Sequence, residues 1–153
     1  MIEFTVRATV KHPIGAVWAC LTDWEDNSNW ILFTRVTNTN TIEGVGAEFV
    51  GVTNFGPAKL VDRMRVTSFV APKGGIASAE VEKVGPVLSG VAGFTLRALD
   101  ETTTQLEWVE NVGVGQRAIP KALSFVLTLF GSLAFRIALG RFARHLASSA
   151  QKP

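Results

Sequence analysis

Residues 2 to 11 alternate without a break, with Ile2, Phe4, Val6, Ala8 and Val10 on one face and Glu3, Thr5, Arg7, Thr9 and Lys11 on the other. A period of two is that of a half-buried strand. Pro13 suits the first turn of a helix, where its missing N–H costs nothing. The apolar run behind it predicts a helix to about Thr22, and Asp23 can cap a second short helix holding Trp24 and Glu25. From Trp30 to about residue 114 the chain reads as strands. Turn signals fall at Glu43-Gly44, Phe55-Gly56-Pro57, Pro72-Lys73-Gly74-Gly75, Gly85-Pro86 and Asp100-Glu101, with runs rich in Val, Thr and Phe between them. Short turns cannot make parallel crossovers, so these six runs form an antiparallel meander. Nothing breaks a helix from Ala118 to about Ala150 except Pro120 in its first turn and the internal Gly131 and Gly140.

The order is therefore strand, two short helices, six strands, one long helix. It predicts an α+β fold in one domain, residues 1–153, in which a seven-stranded antiparallel sheet wraps around the long C-terminal helix. That helix carries two stripes. At 100° per residue, Leu123, Val126, Leu127, Phe130 and Leu133 cluster on one side, while Phe135, Leu139, Phe142 and Leu146 fall on the opposite one. A straight helix cannot bury both against one sheet. Either it kinks near Gly131, or it stays straight, packs the Phe135–Leu146 stripe and turns the Leu123–Leu133 stripe outward. The straight helix is preferred, because the side holding Arg141 and Arg144 must be solvated. It places Ser124, Thr128 and Ser132 over the cavity as its polar groups and leaves an apolar strip for a partner, most simply a second copy in a homodimer.

Composition narrows the classes. Of 153 residues, 47% are hydrophobic and 18% charged, which excludes disordered and collagen-like chains. Met1 leads directly into the first strand and shows no signal-peptide pattern. The single cysteine, Cys20, reads as a small buried hydrophobe and fits a reducing cytoplasm. The apolar stretch from Ala122 to Phe135 is too short to span a bilayer, so no stable membrane insertion is expected. Residues 111 to 153 hold no acid and six bases, Arg117, Lys121, Arg136, Arg141, Arg144 and Lys152. Their spread suits a helix dipole better than an anionic partner, and no nucleic-acid motif accompanies them.

The opening strand followed by HPIGAVWACLTDWEDNSNW, the pair GVGAEFVG and AKLVDRMRVTSFVAPKG, the TTTQLEW strand and the terminal helix together resemble the START-like, or SRPBCC, superfamily. The likeness is to its polyketide cyclase/dehydrase-like and Bet v 1-like members with the helix-grip fold, and it covers nearly the whole chain. It implies a cavity between sheet and long helix that takes a small hydrophobic molecule, with Trp30 helping to close one end. The superfamily contains carriers, sensors and cyclase- or dehydrase-type enzymes, and fold alone does not choose among them.

The chain lacks G-x-S-x-G, H-E-x-x-H and P-loop signatures. One cysteine and two distant histidines, His12 and His145, make no zinc site alone, so no metal or cofactor is expected. His145 reads as a polar residue on the last helix. Strand alternation aims two carboxylates at the covered face: Asp62 beside Leu60, Met64 and Val66, and Glu110 beside Leu106, Trp108 and Val112. A desolvated carboxyl there could act as a general acid or base, and Glu110 and Asp62 are the catalytic candidates for a cyclase or dehydratase. Against this, Arg63 or Arg65 could pair with Asp62 at a strand end. Of the tryptophans, Trp18 belongs to the core, Trp30 to the wall, Trp24 to neither clearly, and Trp108 is the best single ligand contact. The expected ligand-binding set is Trp30, Met64, Phe94, Trp108, Glu110, Ser124 and Thr128. Three readings stand: a binder of a lipid, polyketide or aromatic compound; an acid/base enzyme; and a partner-binding protein whose own side chains fill the cavity.

Overall fold

The computed structural model describes residues 1–115 and 120–150. Its elements are β1 (Ile2–Val10), α1 (Ile14–Thr22), a 3-10 helix (Trp24–Asn29), β2 (Thr34–Asn38), β3 (Glu48–Phe55), β4 (Ala58–Lys73), β5 (Ile76–Val84), β6 (Leu88–Asp100), β7 (Thr103–Val114) and α2 (Lys121–Ala150). The strands form one antiparallel sheet in the order β1-β7-β6-β5-β4-β3-β2, so the first strand closes onto the last. The meander and the long helix thus follow the hydrophobic pattern. Pro13 begins α1 and Asp23 accepts from the Asp26 amide to cap the 3-10 helix, as their types require.

α2 runs unbroken through Gly131. Its second half packs inward through Ala138, Leu139, Phe142 and Leu146, while Leu123, Val126, Leu129, Phe130 and Leu133 stand exposed. The helix thus docks its Phe135–Leu146 stripe as the straight solution requires, but the other stripe is not wholly outward: Leu127 is half-buried and, with Phe130, lines the space beneath the helix. Gly131 serves a purpose other than kinking. A Cβ there would lie 2.6 Å from Cε1 of Phe4, so glycine lets β1 approach α2. The apolar character of the helix also exceeds the Ala122–Phe135 stretch. Lys121–Ser149 is long and apolar enough to cross a bilayer by composition, although the sheet holds its second half.

Three of the four tryptophans belong to one aromatic chain through the core, and Trp24 stacks apart on Phe49. Trp18 meets Phe69 and Phe94, Phe94 stacks on Trp108, and Trp108 stacks on Phe135. Trp30 abuts Trp108 and Phe142 edge-on. Offset and edge contacts of this kind add to plain burial.

A polar latch joins α1, the 3-10 helix and α2. The Asp26 carboxylate accepts from Cys20 Sγ at 3.2 Å, from Asn29 Nδ2 at 2.8 Å and lies 2.9 Å from His145 Nε2. His145 is therefore a half-buried tie and not a surface residue, and Cys20 is a hydrogen-bond donor as well as an apolar filler. Burial works against the Asp26 charge, but the bonds from Cys20, Asn29 and His145 outweigh it and hold this carboxyl below its usual range. Burial, then the bond and the charge of Asp26, push the Cys20 thiol up to about 12.

Two outcomes are expected. Gly140 has open space where a Cβ would stand, so Gly140→Ala should stabilise by about 0.5–1 kcal/mol through helix propensity, whereas Gly131→Ala should destabilise by about 1–2 kcal/mol against Phe4. Chemical denaturation of both variants measures the contrast. Cys20 should react with iodoacetamide at pH 8 about a thousandfold more slowly than an unperturbed thiol, because the thiolate is the nucleophile.

Candidate functional site

Between the sheet and the first half of α2 lies a cavity of about 510 Å³. Side chains of the described residues do not fill it, against the expectation of a self-filled interior. Only the second apolar stripe of α2 reaches the sheet; the first half bridges over it, and its Leu127, Phe130 and Phe135 form the roof. Phe94 and Trp108 make the floor, with Met64 and Val81 beside them. Phe55 and Phe130 belong to the wall and yet are 58% and 67% exposed, which marks the mouth.

Three charged groups enter this apolar space. Asp62 lies on β4, Lys83 on β5 and Glu110 on β7. Lys83 Nζ donates to Asp62 Oδ2 at 2.5 Å and lies 3.9 Å from Glu110 Oε2. Trp108 Nε1 donates to Glu110 Oε1 at 2.9 Å. β6 separates β5 from β7, and its inward positions here are Gly90 and Ala92, opposite Lys83 and Glu110 in register. Small residues at that point let two long side chains reach across a strand. Gly90 also has φ +112, and a Cβ there would meet the Asn111 carbonyl at 2.2 Å.

The electrostatics follow from burial. Glu110 is pushed above the usual carboxyl range by desolvation; the Lys83 charge and the Trp108 N–H offset only part of this. Burial also works against the Lys83 ammonium, but Glu110 and Asp62 outweigh it and hold Lys83 above its ordinary value. Asp62 lines the same space, and its Oδ1 is buried without a hydrogen-bond partner among the described residues. The arrangement offers a fixed cation, an acceptor oxygen and a carboxyl disposed to keep its proton, which are the parts for holding one polar group or for moving a proton at it.

The expected ligand-binding residues divide. Met64, Phe94, Trp108 and Glu110 share the cavity wall, as strand alternation requires, and Asp62 joins them. Trp30 does not: it is fully buried behind Trp108, and its place in the wall is taken by Trp24, stacked on Phe49. Ser124 and Thr128 are also outside the wall. The helix presents that side to β1, where Ser124 Oγ donates to the Met1 carbonyl. Arg65 pairs with Glu48 and leaves Asp62 to Lys83. Lys83 itself escaped the sequence reading. Ala77, Ala79 and Val81 alternate inward along β5, and the same period carries Lys83 inside. Asn27 was missed too; its buried amide lines the cavity with Oδ1 unpartnered. Away from the cavity, donor atoms of Cys20, Asp26 and His145 lie within 4.8 Å of one another. Their mutual hydrogen bonds account for the grouping.

Comparison with solved structures gives the same fold. The aromatase/cyclase Zhui from Streptomyces sp. R1128 superposes with a TM-score of 0.71 at 16% identity, over 97% of this chain and 95% of that one. A protein from Thermus thermophilus gives 0.74 at 10% identity, over 97% and 99%. A conserved protein from Geobacillus kaustophilus gives 0.69 at 18% identity, over 96% of each. No curated protein matches by sequence. The family model for polyketide cyclase/dehydrase and lipid transport matches residues 1–148, and with the helix-grip architecture it shows that the chain belongs to that family within the SRPBCC superfamily.

Proposed function

We propose that the protein binds one neutral, mostly apolar molecule, a polycyclic aromatic, polyketide or acyl compound, with a single hydroxyl or carbonyl at Lys83, Asp62 and Glu110. The observation that carries this reading is the cavity of about 510 Å³ with its three ionisable groups gathered at one place in a mostly apolar wall. Such a volume suits a drug-sized ligand held by burial and oriented by few polar contacts. Asp62 and Lys83 pair, and burial disfavours the charged form of Glu110, so the site offers little net charge to attract an ion. Phe94 and Trp108 offer a stacked floor to a flat ring system.

One observation favours a second reading, catalysis. A buried carboxyl with a raised pKa beside an ammonium can protonate a leaving hydroxyl, which departs as water, and the resulting carboxylate can take the proton from the carbon alpha to the carbonyl as the double bond forms, as a dehydratase requires. Glu110 would be the acid, and Lys83 with Asp62 would polarise the carbonyl that activates the substrate. Turnover of a poly-β-keto substrate separates the readings. If Glu110→Gln keeps binding and loses turnover, the protein is an enzyme; if no turnover exists to lose, it is a binder.

An apolar fluorescent probe should bind and quench Trp108, and Trp108→Phe should remove most of the quench in a fluorescence titration. A probe that leaves Trp emission unchanged and fails to compete with polycyclic compounds would refute the binding reading.

The folded protein holds the Glu110 proton more tightly than the unfolded chain does. Stability from this group is therefore full below the unfolded carboxyl range, about pH 4.3, and is lost as pH rises through the raised folded value. Glu110→Gln should flatten that slope in melts recorded across acid to neutral pH.

Lys83→Met should destabilise by roughly 3 kcal/mol by leaving Asp62 unpaired, while Lys83→Met with Asp62→Leu should recover most of the loss. Urea unfolding of the single and double variants checks this.

A further inference from the structure

Antiparallel pairing brings the start of β1, the β3–β4 hairpin tip, the β5–β6 tip and the end of β7 to the same end of the sheet, and the first half of α2 lies there too. This is the end where the cavity opens. The large side chains around the opening are apolar and exposed: Phe55, Val87, Val114, Leu129, Phe130 and Leu133. The hairpin tips 54–59 and 84–88 and the segment 113–150 contain no aspartate or glutamate, and at the start of β1 the exposed acid is Glu3. Those tips and that segment carry exposed cations at Lys59, Lys121, Arg136 and Arg144. The opposite end mixes both signs, with Asp100 and Glu101 at the β6–β7 turn, Lys73 at the β4–β5 turn and Lys11 after β1. An apolar surface of this extent, drawn from β3, the β5–β6 turn, β7 and α2, is not ordinary scatter.

We infer that this end docks on an anionic membrane surface, with the outward stripe of α2 lying in the interface and the cavity mouth facing the acyl layer. The inference rests on the proposed apolar ligand, for which the bilayer is the natural reservoir, and it gives that ligand a route that avoids water. Charge selects the partner. A symmetric contact between two copies would set one acid-free basic segment against its duplicate, whereas anionic headgroups complement it. Closing the mouth with a second copy would also seal Phe55 and Phe130 away from any incoming ligand. The helix lies on the bilayer and does not cross it, because Ala138, Leu139, Phe142 and Leu146 hold its second half to the sheet. Leucine and phenylalanine at one end of the stripe with Arg136 and Arg144 at the other set it obliquely, apolar half deeper and arginines at headgroup level.

Flotation of the full chain with vesicles tests this. The protein should float with phosphatidylcholine vesicles containing phosphatidylglycerol, float poorly with phosphatidylcholine alone, and be partly released by salt. Leu129→Ser with Leu133→Ser, neither residue in the cavity wall, should weaken flotation by about tenfold or more while probe binding in the cavity persists. Lys59→Glu with Lys121→Glu should abolish the preference for phosphatidylglycerol. No flotation with either vesicle, or flotation indifferent to both double variants, overturns the inference. So does a dimer in sedimentation that Leu129→Ser with Leu133→Ser dissociates, since the stripe would then belong to a second copy. Loss of probe binding with flotation retained would sink the proposed ligand site alone.

Discussion

The structure depends on a mismatch between one helix and one sheet. α2 is 30 residues long, and its apolar residues change sides midway. Only one stripe can meet the sheet. The stripe that does, from Phe135 to Leu146, docks the C-terminal half beside the aromatic chain of Trp108, Trp30 and Phe142. The N-terminal half is then held above the sheet at the height that Gly131 and Phe4 set at its edge. The space beneath is the cavity. It follows directly from the placement of leucines and phenylalanines along the last helix.

That space would be inert without the groups that enter it. Burying charge is costly unless it is paired, and an ion pair gains less than well-packed apolar residues would. Asp62, Lys83 and Glu110 therefore reduce the stability the fold could otherwise reach. Position sharpens the point. Gly90 and Ala92 on β6 clear the way between Lys83 and Glu110, so the approach is built into the neighbouring strand.

Much of this was legible in the sequence, and the parts that were not have definite causes. Strand alternation placed Met64, Phe94, Trp108, Glu110 and Asp62 on the covered face because a period of two leaves no freedom. The inverted helix stripes revealed which half of α2 docks. Trp30 was misplaced because it follows the 3-10 helix, where no period applies; the turn there sends Trp24 to the cavity and Trp30 to the core. Ser124 and Thr128 were misplaced because the helix wheel gives angles but not the neighbour. Those angles face β1, whose main chain takes the Ser124 hydroxyl. Lys83 was readable from the Ala77, Ala79, Val81 series. It went unnoticed because lysines are presumed exposed, and a lysine on an inward position is itself the signal. The link of Asp26 to His145 spans 119 residues, a distance over which no local pattern operates.

The same mismatch joins the cavity to its surroundings. Each Leu or Phe left outward on α2 forgoes about 1.5–3 kcal/mol of burial. A monomer in water recovers none of this, and neither does the void it roofs. Both are recovered when apolar matter arrives, in the cavity or against the stripe. Anything that binds the folded state alone stabilises it in proportion to the logarithm of its concentration over its Kd. Ligand and surface therefore act on one element, the N-terminal half of α2. That half lacks a dry interface of its own, and Phe130, at once roof and rim, is the residue that both would touch.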